Sequence, residues 1–168
     1  SDQAFAALKE DGSVSVWGDH QFGGATVQVL TEVSGLPTSL ASAPATDNDK
    51  VVSIAATTTA FAALKADGTV SVWGAFRGGA ATESMFDFSP PPNEITTPSP
   101  GKEVLWITAN ENAFAAITSS GSAAIWGARW ACGAQNDDDL YTAAPSDVIS
   151  PAPGMEVIAI ASTRWAFA

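Results

Sequence analysis

The stretch AFAALKADGTVSVWG, residues 60–74, stands almost unchanged at residues 4–18 as AFAALKEDGSVSVWG, with two positions different. A third copy, AFAAITSSGSAAIWG, occupies residues 113–127, and a fourth opens as AFA at residues 166–168. The copies start at Ala4, Ala60, Ala113 and Ala166, so the steps are 56, 53 and 53 residues. A second register keeps the same time: DNDKVVSIAAT from Asp47, PGKEVLWITAN from Pro100 and PGMEVIAIAST from Pro153. Self-similarity at this period marks units that bury their apolar faces only by stacking on neighbours, as in propellers and solenoids.

Each unit reads as short strands between turn signals. VVSIAAT and AFAAL are apolar β-like segments, KEDG, KADG and TSSG supply glycine turns, and SVSVWG alternates valine with small polar residues at period two. A glycine-bearing loop follows each Trp-Gly pair, and a longer return rich in Pro, Ser and Thr leads to the next unit. ATVQVL at 25–30 is a candidate fourth strand, and ATESMFDF is its weaker counterpart in the second unit. The expected fold is all-β: antiparallel blades of three to four strands in a partial, open propeller of about three blades. It forms one array over 1–168, with units at 1–46, 47–99 and 100–152 and a partial unit at 153–168. The array opens in mid-unit and stops three residues into a further copy, as expected of a segment cut from a longer one.

Composition narrows the function. A formal charge of −11 with seven Lys and Arg gives an acidic surface that repels phosphate backbones and anionic membranes, so no nucleic acid is expected as a partner. No apolar run is long enough to span a bilayer, which predicts a soluble chain without direct membrane insertion. Cys132 is the single cysteine, so an internal disulfide is excluded, and no N-glycosylation sequon occurs.

The wording Leu-Lys-x-Asp-Gly-x-Val-x-x-Trp-Gly, within Ala4–Gly23 and again within Ala60–Gly78, resembles the repeat of the regulator of chromosome condensation family. The likeness covers nearly the whole chain as three repeat equivalents. It weakens in the third, where Ile117, Thr118 and Ser120 replace Leu, Lys and Asp. The resemblance implies four-stranded antiparallel blades of a β-propeller, and protein binding on loops and blade faces rather than chemistry. It also raises two alternatives, a guanine nucleotide exchange or regulatory factor for a small GTPase and a protein inhibitor that caps an enzyme. No residues match an exchange-factor contact wedge or inhibitor loops. The near-verbatim copies are similar to long arrays of unicellular algae, which implies a place on an organellar, photosynthetic membrane complex.

No catalytic constellation stands out. His20 is the only histidine and reads as a solvated loop residue; Cys132 takes the place of a loop glycine. The runs Asp137–Asp139 and DNDK at 47–50 offer hard oxygen donors but lack the spacing of a calcium loop, and PGKE at 100–103 is a turn, not a phosphate loop. The expectation is a noncatalytic chain with no cofactor and no metal, acting as an interaction or scaffold module whose partners are other proteins, in a larger complex or as further repeats that complete the propeller.

Matching positions serve packing, so contact residues are sought where copies differ. Trp17, Trp73 and Trp126, with Phe5, Phe61 and Phe114, are expected to fill the space between or within blades. Trp106 stands where Ser53 and Ala159 stand, Trp130 aligns near Gln21, and Trp165 takes the place of Gln3, Thr59 and Asn112. Interfaces are enriched in Trp and Arg. The candidate partner-binding residues are therefore Phe76, Arg77, Trp106, Arg129, Trp130, Arg164 and Trp165. The segment SPPPNEITTPSPG, 89–101, reads as a stiff, extended polyproline-type linker.

Overall fold

A computed structural model describes residues 1–25, 33–80, 88–128, 131 and 146–168. The candidate strands at 25–30 and 81–88 fall almost wholly outside the described residues.

Each AFAAL-type stretch is one arm of a hairpin. In the first unit β1 (Ala4–Leu8) pairs antiparallel with β2 (Val14–Gly18). In the second, β5 (Ala60–Lys65) pairs with β6 (Val70–Ala75); in the third, β9 (Ala113–Thr118) pairs with β10 (Ala123–Ala128). The turn residues are selected by local bonds. Asp67 Oδ1 accepts from the Thr69 backbone N–H at 2.9 Å and its hydroxyl at 2.7 Å, and Asp11 does the same with Ser13.

The VVSIAA-type stretches add an outer strand to each later hairpin. β4 (Val51–Ala56) pairs with β5, and β8 (Val104–Ala109) pairs with β9. The fourth strand comes from the preceding unit: β3 (Val33–Ser34) pairs with β6, and β7 (Phe88–Ser89) with β10. The sheets therefore run β3-β6-β5-β4 and β7-β10-β9-β8, each holding one strand from the unit before it, while β1-β2 stands as a two-stranded sheet. This crossing of strands couples neighbouring units through backbone hydrogen bonds as well as through packing.

Stacking of the sheets makes the core. Every residue of β9 is buried, as are five of the six in β5, because a sheet or segment covers each face. Alanine at alternate positions lets the sheets approach, and the large side chains Trp73, Trp126 and Phe114 fill what remains.

The Pro-rich returns differ from the extended linker expected at 89–101. A helical turn, α2 (Asn93–Thr96), follows Pro92 and carries Ile95, which is fully buried in the main core cluster. The same device occurs in the first return, where α1 (Thr38–Ala41) follows Pro37 and buries Leu40. Proline fixes φ ahead of the turn, and one apolar residue three positions on plugs the sheet stack. A third turn, α3 (Ser146–Ile149), places Val148 against the apolar cluster around Ile117.

Candidate protein-interaction surface

The junction between units repeats a single arrangement. Phe61 and Trp73 stack with ring centroids 5.2 Å apart, and Phe114 and Trp126 stack at 5.3 Å. The glycine loop of the preceding unit lies on each pair. Gly23 (φ +88°) packs on the ring of Phe61 and Gly79 (φ +100°) on the ring of Phe114; a Cβ there would lie 2.9 and 2.7 Å from the nearest ring carbon. Trp73 Nε1 donates to the Gly23 carbonyl at 3.2 Å. Trp126 Nε1, also buried, has no partner among the described residues.

The first unit has the same pair without the cover. Phe5 and Trp17 stack at 5.5 Å, yet they are 59% and 51% exposed where Phe61 and Trp73 are 3% and 0% exposed. The sequence-based expectation that these residues fill space between sheets holds at two repeats and departs from the structure at the first: Ala4, Ala6, Val14 and Val16 of β1-β2 pack against the cluster of Phe61 and Trp73, but among the described residues no glycine loop lies on the Phe5–Trp17 stack. Identical residues cannot signal that difference.

A second apolar surface follows the outer strands. β4 lies against β8, and both carry a register shift that opens at Val52 and at Leu105, residues one period apart. Both are exposed, as is Ile158 at the matching place in the last segment, which is 93% exposed. Trp106, next to Leu105, is also exposed. Leu105, Trp106, Ile117, Val157, Ile158 and Ile160 line a largely apolar cavity of about 550 Å³. Glu156 sits on its rim, and its carboxylate accepts from the Gly154 N–H at 2.9 Å, which holds its pKa below the ordinary value. The surface is thus greasy with a negative edge.

Arg164 and Trp165 are exposed but tied within the chain. Glu111 accepts from Arg164 Nε, from Arg164 Nη2 at 3.2 Å and from Trp165 Nε1 at 2.9 Å. The guanidinium lies over the Trp165 ring, 5.2 Å from its centroid. Hydrogen bonding from Arg164 holds the Glu111 carboxyl below its usual range and raises the Arg164 pKa in return. The backbone joins the same residues, with Glu111 N–H donating to the Arg164 carbonyl at 3.1 Å. Sequence reading singled out Arg164 and Trp165 and missed Glu111. The available signal was that Thr58, Glu111 and Arg164 occupy one repeat position, so that opposite charges stand one period apart.

Phe76 and Arg77 open a 3-10 turn after β6, Phe76 half-buried and Arg77 exposed, away from the cavity lining. Arg129, Trp130, Cys132 and Asp137–Asp139 lie outside the described residues. His20 is in an exposed turn with Nδ1 3.8 Å from Asp19 Oδ1, which also accepts from the Gln21 N–H and so caps the turn. In DNDK, Asp47 pairs with Lys50 at 2.7 Å and Asp49 accepts from the Thr46 hydroxyl, so both carboxylates already have partners. Among the described residues no three metal-ligating side chains cluster, and no helix is long and apolar enough to cross a membrane.

No family profile and no curated protein sequence matches the chain. Solved structures do. Prp20p from Saccharomyces cerevisiae, in a structure described with its binding properties to Gsp1p and histones, is 20% identical with a TM-score of 0.53, covering 82% of this chain and 34% of that one. Yeast RCC1 (Prp20) bound to Kap60 is 18% identical with a TM-score of 0.53, covering 86% and 35%. Human WBSCR16 is 23% identical with a TM-score of 0.48, covering 74% and 32%. The chain thus spans about a third of the length of the structures it matches. The units are β-propeller repeats similar to those of regulator of chromosome condensation proteins, and the described sheets form a partial propeller.

Proposed function

We propose that the chain is a noncatalytic interaction module, a peripheral subunit of a larger protein assembly. The observation that carries this reading is the exposed apolar strip of Leu105, Trp106 and Ile158 around an apolar cavity on an otherwise acidic chain. Contiguous exposed apolar surface rimmed by polar groups marks protein contacts. Trp is the residue type most enriched where interface energy concentrates. The partner surface it fits is apolar with a basic border, facing Glu156. The solved structures of similar fold are described with proteins as their partners, Gsp1p, histones and Kap60, which agrees in kind with protein binding.

The finer placement we propose is a soluble, organellar setting on the periphery of a photosynthetic membrane complex, supported by the resemblance of the copies to algal arrays. Affinity isolation from the source cells of the natural chain and of the Leu105→Glu, Trp106→Glu variant tests both parts. Stoichiometric copurification of a defined complex with the natural chain, lost with the variant, is the expected result. Isolation of the natural chain free of other proteins would overturn it. Stimulated nucleotide release from a copurifying small GTPase would favour the regulatory alternative instead.

A further inference from the structure

Each return from one unit to the next ends in a tight turn at one repeat position. Thr46–Asp49, Ser99–Lys102 and Ala152–Met155 all close by the last N–H donating to the first carbonyl, at 3.1, 2.9 and 2.9 Å. In the second and third, proline takes the first corner and glycine the second, at φ +82° for Gly101 and +84° for Gly154, which makes a type II turn. Glu103 and Glu156 hold these turns from just beyond, each accepting from the glycine N–H at 2.9 Å. The turns match in build and differ in what they display. Thr46 has its hydroxyl tied to Asp49 Oδ2 at 2.7 Å, Ala152 has none, and Ser99 presents one on an exposed corner.

Ser99 is also one of four Ser/Thr-Pro steps in the sequence, and the structure sets it apart from the other three. Ser89 lies in β7, half-buried and paired with Gly127. Thr97 ends α2 with its hydroxyl donating to the Asn93 carbonyl at 3.0 Å. Ser150 follows α3, its N–H bonded to the Ser146 carbonyl at 2.8 Å. Ser99 lies outside any strand or helix, and its hydroxyl is unengaged among the described residues. It alone has a cation three places on, the exposed Lys102.

These features suit transfer of a phosphoryl group from a nucleotide. Pro100 keeps Ser99 out of helical backbone, in the extended form that carries a hydroxyl into an enzyme cleft. Proline also has no N–H for the enzyme to satisfy, and Lys102 supplies a charge for an acidic pocket to read. Nothing stands within 4 Å of where a Cβ on Gly101 would lie, so the turn is open to approach.

We propose that Ser99 is a phosphorylation site for a proline-directed serine kinase that reads the lysine three residues on. In the step, the Ser99 oxygen bonds to the γ-phosphorus of ATP as the bond from that phosphorus to the bridging oxygen breaks. ADP leaves with the electron pair, and the hydroxyl proton passes to the catalytic carboxylate of the kinase. The phosphoserine carries about −1.5 to −2 charges near neutral pH, and the turn sets Lys102 across from it. The site stands apart from the Leu105–Trp106 strip and does not depend on what that strip binds.

Incubation of the folded chain with magnesium, ATP and a cyclin-dependent protein kinase, read by intact mass and fragment sequencing, tests it. The expected result is a single phosphoryl group per chain, on Ser99, and none on the Ser99→Ala variant. Lys102→Ala slows uptake by about tenfold. Ala152→Ser with Met155→Lys writes the same tetrapeptide onto the matching turn one period later and adds a second phosphoryl group there. All four positions are exposed turn residues, so the variants keep the fold. A folded chain that takes up no phosphoryl group, while the same enzyme labels a Ser-Pro-Gly-Lys peptide, overturns the proposal. So does uptake at Ser89, Thr97 or Ser150 that Ser99→Ala leaves unchanged, or a rate indifferent to Lys102→Ala.

Discussion

Trp73 donates its indole N–H to the carbonyl of Gly23, fifty residues earlier in the chain, at 3.2 Å. One unit's tryptophan is thereby satisfied by the previous unit's loop, and the glycine that offers the carbonyl also lies flat on Phe61. Stability in this array is a property of junctions.

The two tryptophans at one repeat position should therefore differ. Trp73→Ala removes a fully buried side chain and is expected to cost about 3–5 kcal/mol. Trp17→Ala, at the uncovered junction, is expected to cost about 1 kcal/mol or less. Urea unfolding of the two variants checks the contrast; equal losses would mean that the Phe5–Trp17 face is covered.

Loop glycines should separate strain from collision. Gly79 and Gly101 both have positive φ, but only at Gly79 would a Cβ meet a neighbour, the Phe114 ring at 2.7 Å. Gly101→Ala is expected to lose about 1–2 kcal/mol from backbone strain. Gly79→Ala should lose more than that, read as a larger drop in the unfolding midpoint.

Ile95 provides a test of the helical return. It is fully buried in the cluster that includes Trp126 and Phe114, so Ile95→Ala should cost about 2–5 kcal/mol. If 89–101 were an extended linker, the same change would cost almost nothing.

The Glu111 cluster should respond to acid. The folded pKa of Glu111 is depressed, first by the Arg164 hydrogen bond, so the contact is fully present above the ordinary glutamate value and is lost as pH falls through the lower folded value. The Trp165 indole N–H resonance is expected to titrate with a midpoint below that of a free glutamate. Glu111→Gln should abolish that titration and leave the fold intact, since the cluster is solvent-screened.

The hairpins were legible because AFAALKADGTVSVWG combines a repeat, a period-two face and an Asp-Gly turn, three signals that agree. The fourth strands were not: Val33–Ser34 and Phe88–Ser89 are two residues long, too short to show any period, and they belong to the sheet of the following unit. Leu40 and Ile95 each stand alone as the one apolar plug of a four-residue turn after a proline, and a single buried residue in a Pro-rich return shows no helical period. Trp106 and Trp165 stood out as departures from the repeat and both are exposed, but the tie from Trp165 to Glu111 crosses units and is invisible to reading one unit at a time.

Hydroxyl-radical footprinting of the chain, free and within the complex isolated from its source, tests the interaction reading most directly. Leu105, Trp106 and Ile158 should lose most of their reactivity in the complex while the exposed turn at His20 keeps its own. Undiminished labelling of Trp106 and Leu105 in an intact complex would contradict the assignment of this strip as the protein-binding surface.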